Sequence, residues 1–474
     1  MRKFFAAGWM IGAVLAPVVA LAETPEQAYQ TIFGDEDHKV SASANSKGSA
    51  EFAAKLLMAV DKVIESRDLK VYVCQKAYEF GMKDRAGVAS AIDAAERLVK
   101  LDPDHKDAAL DKRLKAYDRQ QQLAWGPEKR LDGFILAQVT KELAQSRLEA
   151  GQSAEAIRLC QRAILIIGAR SPYAQSVNLL IKSAKAQEVV EKEIAGLETG
   201  DKPGPAPAAA AKKKLMMLYL LEMDNPAKAA KVLDDAGAEA EFKSNVPLAA
   251  MPPDKLDEED CWKLAQWYRK LKPLSRGAGQ AKALRRSIAY YRQFQRQHED
   301  KDARATAAEV EMAQVVRELA VLEPSADGTL YANCDDDFEL ALNGKIILMG
   351  KSYSDTPDCR IALREGDVLA AHLHNNKGER GFSFLLVSPS DKPILGSRQK
   401  DWLEYEPLSE KAWWYPGSDR FKPCGAATKK YEFRRVAEAA KVSGNAYQGV
   451  WGTNDLAFIC HVVTAEDLAK VSSK

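Results

Sequence analysis

The spacing of apolar side chains along the sequence changes near Pro324, and this change constrains the fold more than any other feature of the chain. Before Pro324, apolar residues recur at helical spacing, whereas after it they alternate with polar residues in short segments bounded by turns. Residues 338–342 alternate in this way, and Asn343-Gly344 follows as a two-residue hairpin turn that needs positive φ at both positions. We therefore predict a multidomain α plus β protein, with an N-terminal α-helical array and a C-terminal antiparallel β-sandwich.

The start of the chain has the pattern of a secretory signal peptide. Residues 1–3 are basic, residues 4–21 are almost wholly apolar or small, and Ala20-Leu21-Ala22 is a small-x-small cleavage site before Glu23. We expect an exported protein, periplasmic or extracellular. An uncleaved anchor is the less favoured alternative, because polar sequence follows at once. No later stretch has the roughly 20 apolar residues that a membrane helix needs, so we predict no membrane span.

Length and charge limit the number of domains and the kinds of partner. The chain of 474 residues is long enough for two to four domains. Its formal net charge is +1, which gives no reason to expect nucleic acid or an anionic membrane as partner. The predicted segments are a signal peptide at 1–22, a helical repeat-like domain at 23–199, a second helical block at 200–325 and a β-sandwich at 326–474.

The helical part contains three sets of small and apolar residues at repeating offsets. The first set comprises Ala77-Tyr78, Ala91, Ala95, Leu98 and Pro103; the second Leu143-Ala144, Gly151, Ala156, Cys160 and Ala163; the third runs from Met217 to Ala230 with a turn at Asp224-Asn225-Pro226. These spacings resemble the tetratricopeptide repeat, which packs two antiparallel helices per unit with small residues where the helices touch. The Trp and first Gly of that consensus are missing, and extra helices separate the units. We therefore expect irregular helical hairpins.

The β part supplies about eight strand candidates by alternation. They include 337–342, 345–349, 359–363, 367–374, 382–387, 447–451 and 456–463. The run from Asp335 to Lys345, with the later turn at 373–382, resembles a galactose-binding-like jelly roll. The aromatic-rich helices before it resemble a segment that precedes such modules in secreted bacterial proteins. In the jelly-roll family the first strand and the Asn-Gly-Lys hairpin are scaffold, so the resemblance implies a fold and leaves the ligand open.

An aromatic cluster near residue 410 is the main candidate for ligand binding. Six aromatics fall within twenty residues, against 8% in the whole chain. They are Trp402, Tyr405, Trp413, Trp414, Tyr415 and Phe421. Such rings can stack on sugars or fill a partner's pocket. The favoured alternative is that they cap the sandwich or seal it onto the helices, because large aromatics usually bury area.

Two weak metal candidates lie in the β part, and we predict no metal site from them. His372 and His374 point the same way from one strand, and a third ligand could be His461 or one of the Asp335–Asp337 carboxylates. The simpler interpretation is a polar sheet face. The three aspartates could also bind calcium, but no EF-hand spacing follows them, and a solvated start of a strand is the favoured interpretation.

The positions of the cysteines predict where disulfide bonds could form. Four of the seven cysteines fall in the last 141 residues, and in an oxidising compartment they could form one or two disulfides. If all four are paired, three different pairings are possible. These disulfide candidates are Cys334, Cys359, Cys424 and Cys460. The three cysteines in helical segments fit buried small apolar positions better.

No catalytic motif appears in the sequence, so we expect neither an enzyme nor a cofactor. A nucleophile elbow, a His-Glu-x-x-His helix and paired Cys-x-x-Cys are all missing. The favoured function is therefore a non-enzymatic interaction or scaffold protein. Its helical array binds a protein or peptide, and its β-module docks to a second partner or to the envelope. The alternative is carbohydrate binding by the C-terminal jelly roll. A hydrolase that uses the histidines of the β part is the least favoured.

Overall fold

The structure is a computed structural model in which the chain divides into two compact units, Met1–Gln120 and Gln121–Lys474. It describes residues 24–43, 47–199, 208–376, 380–389, 391–409, 412–427, 431–442 and 448–472. The predicted signal peptide at 1–22 and the Pro- and Gly-rich break at 200–207 lie outside the described residues. The same is true of residues 377–379 in the predicted turn at 373–382.

The described residues form fourteen α-helices before Pro324 and two after it. The first fourteen are α1 (Pro25–Ala42), α2 (Lys47–Lys62), α3 (Arg67–Gly81), α4 (Val88–Leu101), α5 (Lys106–Leu123), α6 (Gly126–Glu149), α7 (Ser153–Ile167), α8 (Ala174–Thr199), α9 (Ala208–Met217), α10 (Pro226–Lys231), α11 (Ala240–Ala249), α12 (Glu258–Leu271), α13 (Gly277–Gln297) and α14 (Ala303–Leu322). A π-helix, Leu218–Glu222, continues α9. Within the described part of the chain, every helix is too short or too polar to cross a membrane.

The C-terminal part contains twelve strands in its described residues. They are β1 (Ser325–Cys334), β2 (Asp337–Leu342), β3 (Lys345–Gly350), β4 (Asp358–Arg364), β5 (Val368–His374), β6 (Phe382–Val387), β7 (Pro393–Gly396), β8 (Leu403–Pro407), β9 (Pro416–Pro423), β10 (Gly425–Ala426), β11 (Val450–Trp451) and β12 (Leu456–Val462). The last two helices are α15 (Tyr431–Ala439) and α16 (Ala465–Ser472).

The change from helix to strand falls where the side-chain rhythm predicted it. Helix α14 ends at Leu322 and β1 begins at Ser325. One apolar core runs from Val190 to Val315 among helices, and another runs from Ala326 to Leu468 between the strands. The predicted fold class, a helical array followed by an antiparallel β-sandwich, is confirmed.

Small residues lie where consecutive helices pack in the first unit. Helix α3 packs against both α2 and α4. Ala77 of α3 and Ala91 and Ala95 of α4 are completely buried. A Cβ on Gly81 would lie 2.8 Å from the backbone nitrogen of Ala91, so the helices approach more closely there than a larger residue allows. The residues that suggested helical hairpins are thus the ones at the helix contacts.

Helices α6, α7 and α8 pack in sequence at the start of the second unit. Gly151, the predicted turn residue between α6 and α7, has φ of 75°, which favours glycine. Two side chains of α8 stabilise the same turn. The Ser153 hydroxyl donates to Glu191 Oε1 at 2.7 Å, and Gln187 Nε2 donates to the Leu148 carbonyl at 2.7 Å. Both helix ends at this turn therefore have polar partners from α8.

Two antiparallel sheets form the sandwich. The first sheet has the order β10-β11-β6-β1-β4, with β7 also paired to β6, and the second has the order β3-β2-β5-β12-β8-β9. Large side chains from both sheets fill the space between them, among them Phe338, Phe382, Phe384 and Trp451. This face-to-face packing of two inner apolar faces is what defines a β-sandwich.

The hairpin between β2 and β3 has the predicted turn. Asn343 has φ of 50° and Gly344 has φ of 85°, so both positions have the positive values that the two-residue turn requires. The Asn343 side chain accepts from the Val368 nitrogen at 2.9 Å. The backbone carbonyl of Asn343 accepts a hydrogen bond from Gln138 Nε2 of α6 at 3.0 Å. The turn is therefore a structural element that contacts the helices.

Asp467 and His461 form a buried polar pair where the last helix meets the sandwich. Asp467 Oδ2 lies 3.2 Å from His461 Nε2, and both side chains are almost fully buried. The Thr464 hydroxyl and backbone nitrogen donate to the same carboxylate at 2.7 and 2.9 Å. Burial alone would raise the pKa of Asp467, but the adjacent His461 ring and the hydrogen bonds from Thr464 outweigh it and hold that pKa well below its usual range.

We expect Asp467→Asn to lower the free energy of unfolding by about 1.5–3 kcal/mol at neutral pH, the range for hydrogen bonds to charged groups. The folded pKa lies below the unfolded value of about 3.9. The carboxylate therefore stabilises the fold above that pH, and this stability is lost as the pH falls further. Urea unfolding followed by tryptophan fluorescence at neutral and at acid pH measures the effect. A deficit in the variant that stays constant down to about pH 2 would contradict this role.

Candidate functional site

The outer face of the second sheet is covered by helices α6 and α8 and by the segment before β9. The ring of Tyr415 stacks on Phe134 of α6, with centroids 4.5 Å apart and planes 8° apart. The Tyr173 hydroxyl, just before α8, donates to the Trp414 carbonyl at 2.8 Å. A Cβ on Gly366 would lie 2.9 Å from Ser176 Cα, so α8 lies directly against the β4–β5 turn. The sandwich is thus packed onto the helices within one compact unit.

Most of the sequence-predicted aromatic site lies inside the protein. The exposed fractions are 1% for Trp402, 5% for Tyr405, 2% for Trp413 and 3% for Tyr415, while Trp414 is half-buried. The Tyr405 hydroxyl donates to the Trp413 carbonyl at 2.8 Å, and burial raises the pKa of Tyr415 to about 12. Protein therefore covers these four rings: Trp402 lies in the core between the sheets, and Tyr415 packs on Phe134 of α6.

The two histidines proposed as weak metal ligands lie on the outer face of the second sheet, opposite acidic residues. His372 pairs with Glu339 across β5 and β2, and His374 pairs with Asp337. The nitrogen–oxygen distances are 3.5 Å for His372 Nδ1 to Glu339 Oε2 and 3.7 Å for His374 Nδ1 to Asp337 Oδ2. His372 also stacks on Phe458, with centroids 4.7 Å apart. These are cross-strand pairs of a polar sheet face.

Of the suggested additional ligands, Asp337 lies beside His374, whereas His461, Asp335 and Asp336 have other surroundings. His461 lies on the inner face of the same sheet, 5.8 Å from the Trp402 ring, with Nδ1 2.8 Å from the Asp401 carbonyl. Asp335 is buried, and Asp336 accepts from the Asn376 nitrogen at 2.7 Å at the start of β2. Across the residues that the structure describes, there is no group of three or more His, Cys, Asp and Glu side chains that could hold a metal ion.

The four cysteines of the β part are free thiols in the structure. Cys359 pairs across the sheet with Leu330, which is four residues from Cys334, or about 13 Å along the strand. A disulfide needs Cα atoms within about 7 Å. Cys424 packs in the core between the sheets, whereas Cys460 points to the outer face. Burial raises the pKa of Cys460 to about 12, so that thiol is protonated and unreactive at neutral pH.

A cleft of about 550 Å³ lies beside the aromatic segment, where α6, α7 and β9 meet. We call it the junction cleft. Its lining consists of Gln121, Lys129, Arg130, Gly133, Phe134, Leu165, Ile166, Ile167, Ser171, Pro416, Gly417 and Phe421. Arg130 crosses from α6 and donates from Nη1 to the Gly417 carbonyl at 2.9 Å. Leu165 is 84% exposed, a large unburied area for an aliphatic side chain.

A second cleft, of about 490 Å³, adjoins the first through Ser171. We call it the side cleft. It is lined by Ala169, Arg170, Ser171, Pro172, Gln175, Asn178, Leu179 and Lys182. The described linings of the two clefts together contain four basic residues and no His, Cys, Asp or Glu. Those four residue types supply most general bases in enzymes.

Part of the basic character of this surface has a local signal in the sequence, because Arg170 and Lys182 of the side cleft lie in a segment without acidic residues. Between Glu155 and Glu188 the chain carries five basic residues and no acidic one. They are Arg158, Arg162, Arg170, Lys182 and Lys185. A net charge of +1 for the whole chain conceals this local excess, because acidic residues elsewhere compensate it.

Comparison with known proteins does not identify a family for this chain. No model of a known protein family matches the chain, and a search of curated proteins finds no match. Functional inference therefore rests on the residues of the two clefts and on the fold that positions them.

Proposed function

We propose that this protein is an exported, non-enzymatic interaction protein whose tetratricopeptide-like helical hairpins bind a protein or peptide partner. The observation that carries the proposal is the junction cleft with its adjoining side cleft. These clefts combine an exposed leucine, a basic rim and a described lining that lacks the usual general bases. Strand β9 supplies one wall of the junction cleft, so the β-module takes part in binding as a fixed part of the site.

A photocrosslinking residue in place of Leu165 tests the proposal in the cell that makes the protein. Leu165 lines the junction cleft and is 84% exposed. We expect a benzophenone side chain there to capture a discrete partner protein in the exported fraction. Val189 of α8 is the matched control, since it is also an exposed aliphatic residue but does not line either cleft. Equal capture at both positions, or none at Leu165, would contradict the proposal.

Carbohydrate binding by the β-module stays a prediction. The rings on which it rested are packed against other parts of the protein in this structure. Because the module is packed onto helices of the same unit, its test is a glycan array with the whole chain rather than with residues 326–474 alone. Binding that is unchanged in Trp413→Ala and Trp414→Ala would remove these rings from that function.

A further inference from the structure

We infer that the two clefts bind an acidic peptide segment in which carboxylates are interspersed with apolar side chains. This inference rests on the proposed function and names the chemistry of the partner. Two observations converge on it. The clefts are lined by cations without carboxylate partners, and the junction cleft also contains an exposed leucine, Leu165.

The cations of the clefts have charge available for a ligand. Lys129, Arg170 and Lys182 are exposed and form no ion pair among the described residues. The fourth cation, Arg130, uses one nitrogen for a backbone carbonyl, which leaves its charge uncompensated. An anionic ligand would supply the missing counter-charges, and complementary charge of this kind sets both the specificity and the rate of association.

The apolar part of the surface argues for a peptide. Leu165, Ile166 and Phe421 line the junction cleft together with Lys129 and Arg130. Leu179 lines the side cleft together with Arg170 and Lys182. Each cleft therefore combines apolar and cationic side chains, which suits a peptide that carries both aliphatic and acidic side chains. A single-stranded nucleic acid binds on open aromatic faces, and of the two aromatic rings that line the junction cleft Phe134 is already stacked on Tyr415.

Two exposed lysines of α8 allow a matched test. Lys182 lines the side cleft, whereas Lys185 lies outside both clefts, one turn further along the same helix. Both are exposed and neither has an ion-pair partner within the described part of the chain. Lys182→Glu and Lys185→Glu therefore change net charge and intrinsic helix propensity identically. The main difference is whether the reversed charge faces the proposed ligand, since the i,i+3 charge pairs that they change on α8 are worth only about 0.2–0.5 kcal/mol.

The probe is a fluorescein-labelled peptide in which glutamate alternates with leucine and serine, measured by fluorescence anisotropy with the whole protein. We expect the affinity to fall about tenfold in Lys182→Glu, to stay within about twofold in Lys185→Glu, and to weaken with added salt. Leu165→Ser should also weaken binding, while Val189→Ser should not. Replacing the peptide's glutamates by glutamine should abolish most of the affinity.

Three outcomes would overturn the inference. They are binding of the glutamine peptide as tight as that of the glutamate peptide, equal effects of the two lysine variants, and displacement of the peptide by a single-stranded oligonucleotide at lower concentration than by unlabelled peptide. Should the acidic peptide fail while Leu165 still captures a protein by photocrosslinking, the inference fails and the proposed function stands. Should both fail, the proposed function fails as well.

Discussion

Trp402→Ala is expected to lower the stability of the sandwich by about 3–5 kcal/mol, the usual cost of truncating a buried tryptophan. Trp402 is 1% exposed and lies between the sheets. Its ring is 5.5 Å from that of Phe384 and 6.0 Å from that of Phe382. The substitution leaves a cavity that these two phenylalanines cannot refill, because their backbone positions are fixed by strand pairing. Hydrogen exchange of β6, measured by mass spectrometry, reports this loss locally.

Trp125→Ala is the matched control for that substitution. Trp125 precedes α6, is 79% exposed and makes no capping hydrogen bond with its side chain. The same chemical change there should alter stability by no more than about 0.5 kcal/mol. If Trp402→Ala left exchange of β6 as slow as Trp125→Ala does, the tryptophan could not be a core residue, and the sugar-stacking interpretation of this ring would regain its basis.

Alternation of apolar and polar residues predicted much of the sandwich, and strand β1 shows why one of the strands was missed. Predicted segments 337–342 and 382–387 coincide with β2 and β6. Strand β1, in the middle of the first sheet, was missed because Ser325–Cys334 mixes small and polar residues. One of them, Gly328, lies against β6, where a Cβ would come within 2.1 Å of the Val387 carbonyl. Its strand character comes from neighbours on both sides rather than from its own residues.

Less of the candidate site than of the fold could be predicted from the sequence, because the site is assembled from segments that are distant in the chain. The aromatic cluster was visible as composition, but its burial depends on Phe134 and Tyr173, which are more than 200 residues away in sequence. The junction cleft likewise joins α6, α7 and β9. The sequence does show one local charge signal, because no acidic residue lies between Glu155 and Glu188. The net charge of the whole chain does not reveal this local excess of basic residues.

Tyr415→Ala is expected to cost about 3–5 kcal/mol, the range for truncating a buried large aromatic, and to loosen the contact between sandwich and helices. The Tyr415 ring stacks on Phe134 and lies 5.5 Å from the ring of Tyr173. Pro416 and Gly417 follow it directly and form a wall of the junction cleft. Binding of the acidic peptide should therefore weaken together with protection of β9 from hydrogen exchange.

Tyr415→Phe distinguishes the contribution of the Tyr415 ring from that of its hydroxyl. The variant keeps the stacked ring, so it should retain peptide binding and most of the stability, with a change of about 1 kcal/mol or less. Trp402→Ala offers a comparison, because it weakens the core between the sheets at a residue that does not directly precede the cleft-wall residues Pro416 and Gly417. If Tyr415→Ala left both β9 protection and peptide affinity unchanged, the stacked rings would not hold the sandwich on the helices, and the cleft would not depend on that contact.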